Sequence, residues 1–70
     1  MDAGKTGAYL AALRKARGMT QQEAADQLGV SNKTVSKWEN GAGLPDITVL
    51  PALAELYGVT ADDILAGETL

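Results

Sequence analysis

The sequence predicts an all-α chain, a compact bundle of five short helices. Three observations carry this. Alanine supplies 12 of the 70 residues, phenylalanine is absent and valine and isoleucine together number only six, a composition that lowers the cost of helix and gives little to strands. Apolar residues recur three and four apart, the spacing of one helical face. Glycines and hydroxyl or acidic residues fall where short helices stop and start. Seventy residues leave room for one domain, 1–70, with its core over about 6–66.

The first helix is read over residues 6 to 17. Leu10 and Leu13 stand at helical spacing, mostly over alanine; Arg14, Lys15 and Arg17 gather near the end, where cations suit the helix dipole, and Gly18 is the stop. Thr20-Gln21-Gln22-Glu23 has the form of a capping box, in which the threonine hydroxyl accepts from the Glu23 amide while the glutamate reaches back. The second helix therefore starts there and runs to Leu28. Gly29 turns the chain, Ser31 is a favourable N-cap, and a third helix covers Asn32 to Glu39 with Val35 and Trp38 inward.

Asn40-Gly41-Ala42-Gly43 ends the third helix. The fourth opens near Leu44-Pro45-Asp46, carries Ile47, Leu50, Leu53, Ala54 and Tyr57 on one face, and closes at Gly58. Its cap is Asp46 or Thr48. Pro51 removes one internal hydrogen bond in the first case and none in the second. Thr60-Ala61-Asp62-Asp63 resembles a second capping box, starting a fifth helix through Ile64 and Leu65 that Gly67 stops. Glu68-Thr69-Leu70 is expected to fray.

Composition narrows the function classes. The chain has neither Cys nor His, so the usual thiolate and imidazole metal ligands are missing, as are the thiol nucleophile and the imidazole base. An enzyme is not expected, nor a metal or cofactor, and no small-molecule ligand is evident. The longest apolar run, Val49 to Ala54, is far shorter than the roughly 20 residues of a membrane span, and Met1 to Lys5 holds no apolar signal segment. The expectation is a cytoplasmic chain with no membrane partner.

A net charge of −3 argues by itself against a polyanionic partner. Its distribution points the other way. Residues 1–40 hold six basic and four acidic residues (+2), whereas residues 41–70 hold five acidic residues and no basic one (−5). Such asymmetry suits a chain that meets polyanion on one face and solvent or protein on another.

Two helices of about eight residues separated by Gly29-Val30-Ser31 match a helix-turn-helix over residues 20–40, in which a short turn sets the second helix across the first. With Val35 and Trp38 inward, Asn32, Lys33, Ser36 and Lys37 form an outward polar surface. Asn pairs bidentately with the N6/N7 edge of adenine, and Lys donates to guanine O6/N7 or to phosphate. Gln21, in the first turn of the second helix, joins a side-chain amide to free backbone N–H groups at a positive helix end, which suits a phosphate. Thr20, Ser31 and Asn40 complete the set of phosphate candidates. Trp38 is expected in the core, its indole N–H reaching solvent or phosphate.

Here the sequence resembles the Cro/repressor-type (XRE) helix-turn-helix family, as found in small regulators of Gram-positive bacteria. The resemblance rests on Thr20-Gln21-Gln22-Glu23-Ala24-Ala25, Leu28-Gly29-Val30-Ser31, Val35-Ser36-Lys37-Trp38-Glu39-Asn40-Gly41 and the Pro45…Leu53-Ala54…Leu56…Gly58-Val59 tail, and spans about residues 6–66. It implies a five-helix domain that binds a partly palindromic operator in double-stranded DNA as a homodimer, usually as a transcriptional repressor. It also implies phosphate contact at Gln21, base reading at Asn32, Lys33 and Lys37, and an Arg14–Glu39 ion pair joining the first helix to the third. The family usually has Leu or Ile where Ala24 stands, which implies a thinner core there, or compensation from Met19 and Trp38. Basic residues that some relatives carry before the fourth helix are replaced here by Ala42-Gly43-Leu44-Pro45-Asp46.

Blander readings stand beside these. The polar face of the third helix is, on composition alone, an ordinary solvated face. The acidic 41–70 half also fits a protein-interaction module, an antitoxin-like adaptor on the same fold with a basic partner. Gly4-Lys5-Thr6 imitates the end of a phosphate loop but lacks the preceding strand and first glycine. Asn32-Lys33-Thr34 fits a glycosylation sequon that a cytosolic chain never exposes to the enzyme. Asp62-Asp63 is read as dipole-favoured acid in a first helical turn rather than as a catalytic pair.

Overall fold

The computed structural model describes all residues, 1–70. Five helices follow one another: α1 (Ala3–Ala16), α2 (Gln21–Leu28), α3 (Asn32–Glu39), α4 (Leu50–Tyr57) and α5 (Ala61–Ala66). They pack into a body of 26 × 23 × 22 Å in which α1 lies against α3 and α5, α2 against α3, and α4 against α5. The all-α class and the helix count agree with the sequence reading.

The local chemistry explains most boundaries. The Thr20 hydroxyl accepts from the Glu23 amide at 3.0 Å while the Glu23 carboxylate accepts from the Thr20 amide at 2.9 Å, a complete capping box. Thr60 and Asp63 repeat the device at α5. Gly29, at φ 71°, takes the left-handed conformation that closes α2 and turns the chain toward α3.

Two boundaries differ from expectation. α1 begins at Ala3 rather than residue 6, because Asp2 caps it: its Oδ1 accepts from the Lys5 amide at 2.9 Å. α4 begins only at Leu50, with Val49 as a cap that makes no side-chain bond and Pro51 in the first turn, where its missing N–H leaves nothing unpaired. Asp46 and Thr48 do not cap this helix. Asp46 folds back on Thr48 instead, its Oδ1 accepting from the Thr48 amide and hydroxyl at 3.0 and 3.1 Å. Ile47 consequently leaves the predicted apolar face and is 79 % exposed.

The core gathers Leu10, Ala25, Val35, Trp38, Leu50, Leu53, Tyr57 and Ile64, drawn from all five helices. Each fully buried aliphatic side chain contributes about 1.5–3 kcal/mol. Ala24 is fully buried, and Met19 packs on the core from the α1–α2 connection, while Trp38 lies inside it. Tyr57 and Ile64 are core residues, whereas Leu65 is exposed. Thr6, also buried, donates its hydroxyl to the Ile64 carbonyl at 2.9 Å and so ties α1 to α5.

The C-terminal residues, expected to fray, are held. The Leu70 amide donates to Asp63 Oδ1 at 3.0 Å, Tyr9 and Thr69 hydroxyls lie 3.0 Å apart, and Lys5 pairs with Glu68.

Candidate nucleic-acid interface

α3 divides cleanly between two environments. Val35, Trp38 and Glu39, three and four residues apart, share the inward side, and Val35 and Trp38 are buried. Asn32, Lys33 and Lys37 are exposed and Ser36 is partly so. The side-chain hydrogen bonds of this helix belong to its cap and to its inward end, so the four outward polar groups remain available to an external partner. Lys33 and Lys37 give this surface two positive charges.

The inward end of α3 is fastened by one ion pair. Arg14 Nε donates to Glu39 Oε2 at 2.8 Å, Nη2 donates to Oε1 at 2.9 Å, and Nη1 donates to the Met19 carbonyl at 2.8 Å. The fork therefore joins α1, α3 and the connection that enters α2. Both side chains are largely enclosed, 11 % and 7 % exposed. Burial acts to raise the Glu39 carboxyl, but hydrogen bonds from Arg14 and then Gln21 outweigh it and hold the group below the ordinary carboxylate range. The same bond to Glu39 raises Arg14 against the opposing effect of burial. The predicted Arg14–Glu39 pair is thus formed, bidentate and part-buried.

A glycine makes this junction possible. A Cβ on Gly7 would sit 2.2 Å from the Trp38 carbonyl oxygen and 3.0 Å from that of Glu39, so only glycine lets α1 approach the end of α3 so closely.

The phosphate candidates occupy mixed positions. Thr20 and Ser31 are the N-caps of α2 and α3; Ser31 Oγ accepts from the Thr34 amide at 3.1 Å and exchanges a hydroxyl bond with Thr34 at 2.9 Å. Both are exposed. Asn40 follows α3, its Oδ1 accepting from the Ala42 amide at 3.1 Å, so its carbonyl serves the turn and its NH2 group remains a donor. Gln21 opens α2, and its Nε2 donates to Glu39 Oε1 at 3.1 Å. Sequence reasoning missed that bond. Its signal was the position of Glu39 four residues after Val35, which places an acid on the inward side of a helix whose neighbour begins with an amide.

Two short capped helices joined by a glycine turn, with the second fixed through its inner face and polar on its outer face, define a helix-turn-helix domain. The helix-turn-helix family model (HTH_3) matches residues 10–64, and the chain belongs to this family, of the Cro/repressor (XRE) type. Over 58 residues it is 41 % identical to the HTH-type transcriptional activator BcrR of Enterococcus faecalis, covering 83 % of this chain and 28 % of BcrR. Over 55 residues it is 36 % identical to the cryptic phage CTXphi transcriptional repressor RstR of Vibrio cholerae, covering 79 % of this chain and 49 % of RstR. The fold matches the restriction-modification controller protein C.AhdI of Aeromonas hydrophila with a TM-score of 0.82 and 25 % identity, over 90 % of this chain and 96 % of that one. The chain spans about half or less of the length of the two transcriptional relatives it matches here. No helix is long and apolar enough to cross a membrane.

Proposed function

We propose that this chain is a sequence-specific DNA-binding module of a cytoplasmic transcriptional regulator, acting without catalysis. α3 enters the major groove, where Asn32, Lys33, Ser36 and Lys37 meet base edges, while Thr20 and Gln21 at the N-terminus of α2, with Ser31 and Asn40 at the two ends of α3, rest on the phosphate backbone. A homodimer supplies two half-sites about 34–36 Å apart, so the operator is partly palindromic. Repression follows from occupancy of a promoter, the action named for RstR, whereas BcrR is named an activator. The observation that carries the reading is the outward face of α3, polar, cationic and unengaged, on a helix whose inner face is fixed to α1 and α2.

The protein-interaction alternative rests on the acidic half, where only Glu68 of the five acids is paired with a cation, Lys5, while Asp63 and Asp46 accept from neutral amides and a hydroxyl and keep their charge. The relatives of this chain, named as transcriptional regulators, favour the DNA reading over it. Selection of bound sequences from a randomised duplex pool at about 50 mM salt, repeated on the winner at about 200 mM, tests the reading. A two-fold-related motif whose binding falls steeply with salt is expected. Absence of any enriched sequence, together with retention of a stoichiometric basic protein, would reverse it.

A further inference from the structure

We infer that Glu39 is a positioning residue for DNA contact: its carboxylate orients the Gln21 side-chain amide at the start of α2, so one buried group sets both the phosphate contact and the mounting of α3. The inference rests on the DNA-binding reading above. Glu39 Oε1 accepts from Arg14 Nη2 at 2.9 Å and from Gln21 Nε2 at 3.1 Å, while Oε2 accepts from Arg14 Nε at 2.8 Å. A carboxylate accepts from the nitrogen side of an amide and repels its oxygen, so the flipped Gln21 rotamer is disfavoured. One amide hydrogen is committed to Glu39, and the second, on the same nitrogen, is left for another acceptor. The Glu39 side chain is only 7 % exposed and cannot swing into water to release its partner.

Arg14 completes the arrangement in two ways. It neutralises the Glu39 charge, which would otherwise repel a phosphate approaching Gln21. Through the Met19 carbonyl it also fixes the connection that leads into the Thr20 cap. Gln21 thus meets its target with its conformational freedom already removed, which is the gain from preorganisation.

The test combines side-chain dynamics with a binding cycle on the full chain. In 15N-labelled protein without DNA, the Gln21 amide, assigned by its loss in Gln21→Ala, should have an order parameter near the rigid value of about 0.85, falling below about 0.6 in Glu39→Gln. On the roughly 20-base-pair duplex enriched by selection, Gln21→Ala should weaken binding about tenfold. Glu39→Gln should weaken it similarly, but at least about threefold less in the Gln21→Ala background, the coupling expected of two groups in one contact. A purely structural Glu39 would give additive losses and leave the Gln21 amide unchanged, which overturns the inference. A mobile Gln21 amide in the unmodified chain overturns it too, even if Glu39→Gln does not fold. An ordered amide with unchanged binding by Gln21→Ala sinks the phosphate reading instead, and the positioning role in DNA contact with it.

Discussion

At Gly7 the absence of a single side chain decides how closely two helices meet. Gly7→Ala would drive a methyl group into the Trp38 carbonyl, against backbone that has no free rotor to yield. Overpacking of this kind costs about 1–3 kcal/mol. In a domain of this size each kcal/mol lowers the melting temperature by about 4–8 °C, so a thermal melt followed by circular dichroism should show a clear loss. On the outward side of α3 the expected losses fall on binding and spare stability. Replacing Asn32 and Lys37 by Ala should weaken operator binding by about 1–3 kcal/mol for each base contact removed, leaving the unfolding free energy within about 0.5 kcal/mol of the parent. A double variant with parental operator affinity would remove both residues from the readout.

At the scale of elements, what could be read from the sequence depended on how far each determinant lies from its effect. The caps of α2 and α5 were legible because each joins residues three apart, and their Thr-x-x-acid spelling is the interaction itself. The start of α4 was not. Asp46 and Thr48 have the composition of a cap but satisfy one another in a turn, and Ile47, at the right spacing for the apolar face, lies before the helix begins. Asp2 was missed because a cap of a helix starting with Ala-Gly-Lys precedes any apolar period that would mark it. The ordered tail depends on Asp63 and also on Lys5 and Tyr9, about sixty residues away in the chain, and no local pattern announces the distant partners. Asp63 connects these cases, since its carboxylate serves both the α5 cap and the Leu70 amide. Thr60→Ala should cost about 0.5–2 kcal/mol through the cap. Asp63→Ala should in addition release the tail, so that hydrogen exchange at Leu70 accelerates more than in Thr60→Ala. Equal exchange in the two variants would refute that role for Asp63.

For the molecule as a whole, acid stability follows from the same carboxylates. Glu39 is held below its ordinary value of 4.5 despite burial, chiefly by Arg14 and Gln21. Asp63 is held below 3.8 by the Leu70 and Thr60 amides. A group whose folded pKa lies below its unfolded one binds fewer protons when folded. It therefore adds stability above the unfolded value and loses that contribution as pH falls through the folded one. The melting temperature should be insensitive to pH near neutrality, fall once the pH drops below about 4.5, and fall less steeply in Glu39→Gln. A melting temperature that stays flat to pH 3 or so would show that neither carboxylate matters to folding. The charge asymmetry of the sequence also changes meaning at this scale. Of the five acids of residues 41–70 only Glu68 is paired with a cation, Lys5, so this half keeps most of its negative charge, while neither lysine on the outer side of α3 enters a salt bridge.

The two-sided character of α3 bears on how such a chain could diverge. Everything that mounts the helix, Val35, Trp38, Glu39 and the glycine beneath them, lies on one side, and the four side chains proposed to read bases lie on the other. Residues 32, 33, 36 and 37 can therefore be exchanged as a set while the mounting stays intact. Duplicated copies would be free to acquire separate targets within a few substitutions, and the same four positions offer a compact library for retargeting the domain by design.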